Sequence, residues 1–343
     1  MKKTNYTLFA IFILFIFNIS ASGQDIHFSQ IFETPLLRNP SLAGLFSGDS
    51  RFQCVYRSQW NSLTVPYKTT YISGELKRKI GEGDDFVTIG GEIVHDKSGS
   101  ISLSTTKFLP SFNYHKSISE ERNTYLSIGV MGGIVQRKFD RSKVTTNNQY
   151  DGTSYNSSLN DGENFSRTGF SYFDGSAGMS INTQISENPE DNFFIGLAYH
   201  HFNKPKKISF YDASQLGLAP KWVGSAGVKL NRNENEYLTI QSDYSIQGAN
   251  RECMIGAIYS IKIQNEEESN CTLHAGSYIR WGDAIIPTAK LEFKSLSISG
   301  SYDANISGLK ESTKGQGGFE LSLSLIGFNK NNTSLDAVRC PSF

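Results

Sequence analysis

The chain has 343 residues, with 33 basic and 33 acidic side chains and a formal net charge of zero, so nothing in its charge calls for nucleic acid as a partner. Aromatic residues make up 12 % and mean hydropathy is −0.35, too polar for a bundle of membrane helices. The same values suit a β-barrel, whose strands turn only alternate residues to lipid.

In chain order, Lys2 and Lys3 precede an apolar run from Leu8 to Phe17, followed by Ala21-Ser22-Gly23. A basic start, a short apolar core and a small-residue cleavage site make a secretory signal peptide over residues 1–23. No cysteine lies near the cleavage site, which argues against a lipid anchor. Residues 24–50 are expected to form an N-terminal segment on the periplasmic side. A barrel over 51–329 and a periplasmic tail over 330–343 complete the expected organisation.

From Arg51 onward about fourteen segments of roughly ten residues follow one another, the length a tilted strand needs to cross a bilayer. In the first, Phe52, Cys54, Tyr56, Ser58 and Trp60 alternate with Arg51, Gln53, Val55, Arg57 and Gln59. Period-two alternation puts the aromatic set toward lipid and the charged set toward the lumen. Further strands are predicted at 71–79, 86–95, 102–116, 124–136, 169–183, 192–202, 221–230, 238–246, 253–263, 271–281, 285–294 and 296–307. The last carries Phe319, Leu321, Leu323 and Leu325 outward and Glu320, Ser322 and Ser324 inward. Pro110 and Pro287 interrupt strand patterns and are expected at bulges or strand ends.

The connections differ by parity. Every second one is short and mostly acidic, as in Gly81–Asp85, Ser119–Arg122, Ser186–Asp191, Asn233–Glu236 and Asn265–Glu268. The others include the long ones, Phe139–Ser166, Asn203–Ala219 and Ser307–Gln316. Two different environments at the two strand ends account for this, and an even strand number returns both termini to one side, the periplasm. The predicted fold is therefore all-β: one transmembrane antiparallel outer-membrane β-barrel of about 14 strands.

No catalytic, cofactor or metal site emerges. Cys54, Cys253, Cys271 and Cys340 lack metal-like spacing, and His115, His200 and His201 have no partner at ligand spacing. The hairpin register sets Cys253 opposite about Trp281, which argues against a Cys253–Cys271 disulfide. The lumen face carries more information. Arg57, Gln59, Asp303, Asn305 and Glu320 lie on strands that meet at closure, and Arg57 is expected to find an acidic partner in Glu320 or Asp303. Near-balanced inward charges favour a hydrogen-bonded network that blocks the lumen over an open pore. In the longest outer connection Tyr150, Tyr155 and Phe165 stand among Asn, Ser and Gly, a composition suited to protein contact.

Gln24-Asp25-Ile26-His27-Phe28-Ser29-Gln30, followed by Asn39-Pro40-Ser41-Leu42-Ala43-Gly44, resembles the mature N-terminus of the PorP/SprF family of type IX secretion membrane proteins. Tyr56-Arg57-Ser58-Gln59-Trp60 resembles that family's first-strand motif. Ser301–Ser307 and Gly315–Leu323 resemble its last two strands, and Cys340-Pro341-Ser342-Phe343 its ending. The resemblance implies a non-enzymatic, cofactor-free barrel in the outer membrane of a bacterium with type IX secretion, often linked to gliding motility. It implies partners of two kinds: an exported surface protein or adhesin that the barrel helps to secrete and hold at the cell surface, and periplasmic secretion-ring components. Gln316-x-Gly318-x-x-Leu321-x-Leu323 is similar to the last-strand signal read by barrel-assembly machinery. The alternative on the same fold is an outer-membrane transporter or porin for small solutes.

Overall fold

The computed structural model describes residues 25–61, 65–206, 208–211, 217–263, 271–308 and 310–328. The leader 1–23, the tail 330–343 with Cys340, and the acidic turn Asn265–Glu268 lie outside them. Fourteen strands follow in order: β1 (Ser50–Gln59), β2 (Tyr67–Lys79), β3 (Phe86–Ser98), β4 (Leu103–Ser119), β5 (Thr124–Lys138), β6 (Gly169–Gln184) and β7 (Asn192–His200). Then come β8 (Lys221–Asn231), β9 (Glu236–Gln247), β10 (Asn250–Ile263), β11 (Cys271–Arg280), β12 (Ala284–Phe293), β13 (Leu296–Asn305) and β14 (Gln316–Gly327). Each pairs antiparallel with its sequence neighbours, and β1 pairs with β14, so the sheet closes with no free edge. The predicted strands stand in place, their ends moved by a few residues.

Alternation builds the wall. On β14, Phe319, Leu321, Leu323 and Leu325 are exposed on the outer face, while Glu320, Ser322 and Ser324 are buried inside. On β1, Phe52 faces out and Arg51, Gln53 and Arg57 face in. Register is firmly set, because a one-residue slip would turn every lumen charge to lipid, at roughly 2–4 kcal/mol for each Arg or Lys at midplane. All three tryptophans lie at one rim: Trp60 packs on Tyr67, Trp222 on Tyr199, and Trp281 is widely exposed. Such rings, apolar with a polar tip, suit the membrane interface.

Two local expectations change and a third holds. Pro110 and Pro287 sit neither at bulges nor at strand ends. Each is mid-strand, paired on one side with Gly91 or Ser277, and the ladder on its other side is interrupted where the missing N–H would donate. Lys294, predicted as the last residue of the strand 285–294, occupies the tight turn after β12 with φ +55°. Trp281 does stand opposite Cys253, its N–H donating to the Cys253 carbonyl at 2.9 Å, and Cys54, Cys253 and Cys271 are free thiols.

β1 starts and β14 ends at the barrel end that holds the short acidic turns, here the turn end. The opposite loop end holds connections 139–168, 201–220 and 306–315. The largest departure from expectation is the segment ahead of β1. It does not lie outside on the periplasmic side. It enters at the loop end, where the Asp25 N–H donates to Gln247 at the tip of β9, and runs through the lumen to the turn end, where the Asp49 N–H donates to Gly327. A 3-10 turn (Ile31–Glu33), one turn of α-helix, α1 (Pro35–Arg38), and a second 3-10 turn (Pro40–Leu42) fold it into a plug.

The physical reason is apolar surface. Phe28, Ile31, Leu36, Leu42, Leu45 and Phe46 have no second layer of their own to pack on. The lumen wall supplies matching patches: Val55, Tyr71 and Val94 for Phe28, Leu109 and Met131 for Leu36, Met254, Tyr278 and Ile286 for Ile31, and Phe194 for Leu42. Each such side chain contributes about 1.5–3 kcal/mol when fully buried.

Candidate functional site: the plugged lumen and its two ends

A plug so short leaves many of its backbone polar groups without partners of its own, and the wall provides several of them. Asn113 on β4 donates through Nδ2 to the carbonyls of Ser41 and Ala43, at 2.7 and 2.9 Å. Glu75 on β2 accepts from the Gly44 N–H at 2.7 Å, Lys77 donates to the Phe46 carbonyl, and His200 lies 3.0 Å from the Arg38 carbonyl. Arg38 grips Asp243 on β9 with both ends of its fork at 2.6 Å, a bidentate pair that fixes α1 against that wall. Opposite, Asn39 holds the Ser41 N–H and hydroxyl, and the chain lies directly on the glycines of β5 and β6. A Cβ at Gly129 would come within 2.5 Å of the Pro40 carbonyl carbon, and one at Gly178 would overlap the Asn39 side chain. Gly129 and Gly178 are register partners, so together they floor one groove for Asn39–Ser41.

Arg57 and Glu320 are direct partners across the β1–β14 seam. Arg57 Nη1 meets Glu320 at 2.6 Å and Nη2 meets Asp303 at 3.0 Å, all three nearly inaccessible. The plug completes this cluster. The backbone N–H groups of Ser29 and Gln30 donate to the two Glu320 oxygens at 2.6 and 2.8 Å. The Ser29 hydroxyl donates to Asp303 at 2.7 Å and accepts from Arg57 at 3.0 Å and from Arg280 at 2.6 Å, using its full capacity. Gln59 lies with its amide against the Arg57 guanidinium. Asn305 stands apart, bonded to Thr313 and the Gln316 carbonyl, where it ties down the 306–315 connection. Two carboxylates and two guanidiniums thus balance inside the lumen, with the plug as their common ligand.

The plug residues Ser29, Gln30, Arg38 and Asn39, and their holders Asn113, Glu75 and Asp243, were not singled out as site residues from sequence. The available signal was Phe28, Ile31, Leu36 and Leu42 in a stretch with no strand alternation, apolar groups that require a place to bury.

At the loop end, connection 139–168 is folded. Phe139, Phe165, Phe210 and Phe170 form a chain of ring contacts, centroids 4.7–5.0 Å apart, and Arg167 and Ser166 bond the carbonyls of Ser209 and Phe210. Phe165 is thereby engaged inside the cap, under the Arg141 guanidinium and beside Tyr211. Tyr150 and Tyr155 are bridged to each other and stand more than half exposed at the tip. Arg141 pairs with Asp161 and, with the Glu163 N–H, holds that carboxyl below the usual carboxylate range. His201 lies where the plug enters. Burial disfavours its charge, but Asp174 at 2.8 Å and Asp25 at 3.4 Å outweigh it, and its pKa is raised. Among the described residues no group of three or more His, Cys, Asp or Glu could hold a metal ion.

Among solved structures the chain is similar to a Pseudomonas aeruginosa FadL homologue, with TM-score 0.49 and 10 % identity over 85 % of this chain and 93 % of that one. It is also similar to the Ralstonia pickettii toluene transporter TbuX, with TM-score 0.46 and 10 % identity over 85 % and 92 %. No curated protein sequence matches it. The family described as type IX secretion system membrane protein PorP/SprF matches residues 20–325, from the leader through nearly all of β14. With its closed fourteen-stranded wall and apolar outer face, the chain belongs to the PorP/SprF family of type IX secretion system membrane proteins and is a barrel of the bacterial outer membrane.

Proposed function

We propose that this barrel is a non-enzymatic accessory of type IX secretion that holds an exported surface protein at its loop end and meets periplasmic secretion-ring components at its turn end. The observation that carries this reading is the plug. A plug of residues 25–49 that runs from one end of the lumen to the other obstructs it and leaves the two ends as the working surfaces, whereas a resting porin needs a clear path. The prefolded cap supports the assignment of the loop end. Tyr150 and Tyr155 are paired aromatics on a braced tip, so contact with a partner costs little ordering entropy.

Deleting Asn147–Asn160 tests it. Thr146 Oγ1 donates to the Asp161 carbonyl at 2.7 Å, so the excision removes the tip and leaves its base joined. The exported protein should then appear in the medium while the barrel still assembles and migrates as a heat-modifiable band. Undiminished surface retention would refute the role assigned to the loop.

A further inference from the structure

Between the plug and the wall of β7 to β14 and β1 the lumen holds a second space, a vestibule of about 620 Å³. Asn123 and Glu190 of the short turns stand at its rim, and Phe32 of the plug stacks on Tyr278 at its floor, ring centroids 5.9 Å apart. It therefore opens at the turn end and stops inside the barrel. It exists because the lower plug leans the other way, with Pro40–Leu42 against β4, β5, β6 and β7. Its volume is that of a site for a small ligand or a few residues of peptide.

Its walls are built with unused polar groups. Gln53 Oε1 and Asn192 Oδ1 are buried, line this space and have no hydrogen-bond partner, though each side chain is less than a tenth exposed, while His274 Nε2 faces the Glu292 carboxylate at 3.5 Å. Buried polar atoms in folded proteins are almost always satisfied, so two at one cavity point to something that satisfies them. At the rim Lys229 and Lys262 share a single carboxylate, Glu190, at 3.7 and 2.9 Å, which leaves ammonium capacity for one more anion. Deeper in, Lys290 is already held between Glu33 and Glu292.

The same lumen shows what such a wall recognises. Asn113, Glu75, Glu320 and Lys77 grip the plug almost wholly by its backbone N–H and C=O groups. Asn192, Lys229 and Gln53, whose amide N–H also donates to the plug's Glu33 at 2.8 Å, are the same kinds of group facing the vestibule. We propose that the vestibule binds a second polypeptide strand beside the plug. It would be a short extended segment of a partner protein presented from the turn side, its N–H groups on Gln53 and Asn192 and an acidic side chain or terminal carboxylate at Lys229 and Lys262. The partner's side of approach rests on the reading of the turn end as the machine-facing end; the polypeptide chemistry of the site does not.

A photo-crosslinking p-benzoylphenylalanine at Thr272, on the vestibule wall near the rim, tests this in intact cells with the full barrel. The expected adduct maps to one contiguous segment of one periplasmic protein. A synthetic peptide of that segment should bind the purified barrel and lose at least tenfold in affinity when Thr239→Trp or Ser260→Trp fills the vestibule. Two filling variants on different strands guard against one failing to fold. Absence of an adduct, an adduct to a glycan, lipid or this chain's own residues 329–343, adducts scattered over many proteins, or unchanged peptide affinity in a folded filled variant would each overturn the proposal. The loop-deletion phenotype is read at the opposite end, so either proposal can fail without the other.

Discussion

Arg57 shows at the scale of one residue how the lumen is organised. Its guanidinium neutralises Glu320 and Asp303 on two neighbouring strands and accepts the plug through Ser29. Removing one partner of a buried ion pair leaves a charge in a restricted lumen, which typically costs about 3–5 kcal/mol. Arg57→Ala should therefore lower the urea midpoint of the refolded barrel and reduce its heat-modifiable fraction. A wild-type midpoint in that variant would mean that Arg280, 3.1 Å from Asp303, carries the cluster unaided. Gly178 makes a complementary case. Because a side chain there would occupy the place of Asn39, Gly178→Leu should leave the strands paired while loosening the plug, and protease added from the loop side should cut within residues 25–49.

At the scale of elements, the plug and the cap behave as separable units. The plug is bound by contacts to strands around the wall, but it is covalently continuous only with β1. Deleting residues 25–47 should leave a closed barrel, since every ladder pair lies at Ser50 or later. In planar bilayers the intact protein should be quiet and the deletion variant should conduct ions. Conductance in the intact protein would revive the transporter or porin alternative. The cap has a pH signature. Asp161 is held below its ordinary value chiefly by the Arg141 hydrogen bond. A depressed carboxylate contributes stability that is fully present above its unfolded pKa, about 3.9, and lost as pH falls through the folded value. Limited proteolysis of the 139–168 connection should be unchanged from neutral pH down to about 4 and accelerate below it. Acceleration beginning near pH 6 would assign the sensitivity to a histidine instead.

At the scale of the whole molecule, the wall and its contents answer to different kinds of information. Strand positions, closure, facing of side chains and the asymmetry of the two ends were all legible in the sequence. Each follows from a local rule: side chains alternate every two residues, and short turns differ in composition from long loops. β1 and β14 illustrate this, since alternation alone put Arg57 and Glu320 inside and closure alone made them neighbours. The plug was not legible, because residues 25–49 have no strand period, and their place depends on patches contributed by strands distant from them in the chain, as Met254 and Ile286 are from Ile31. Composition alone likewise gave Tyr150, Tyr155 and Phe165 the same standing as contact residues. Only the tertiary structure separated Phe165, engaged in the cap's own packing, from Tyr150 and Tyr155, which remain outside. Sequence by itself thus determined the container, whose rules repeat strand by strand. What fills the container was decided by contacts between residues hundreds of positions apart, such as Ser29 with Glu320, which no local pattern encodes.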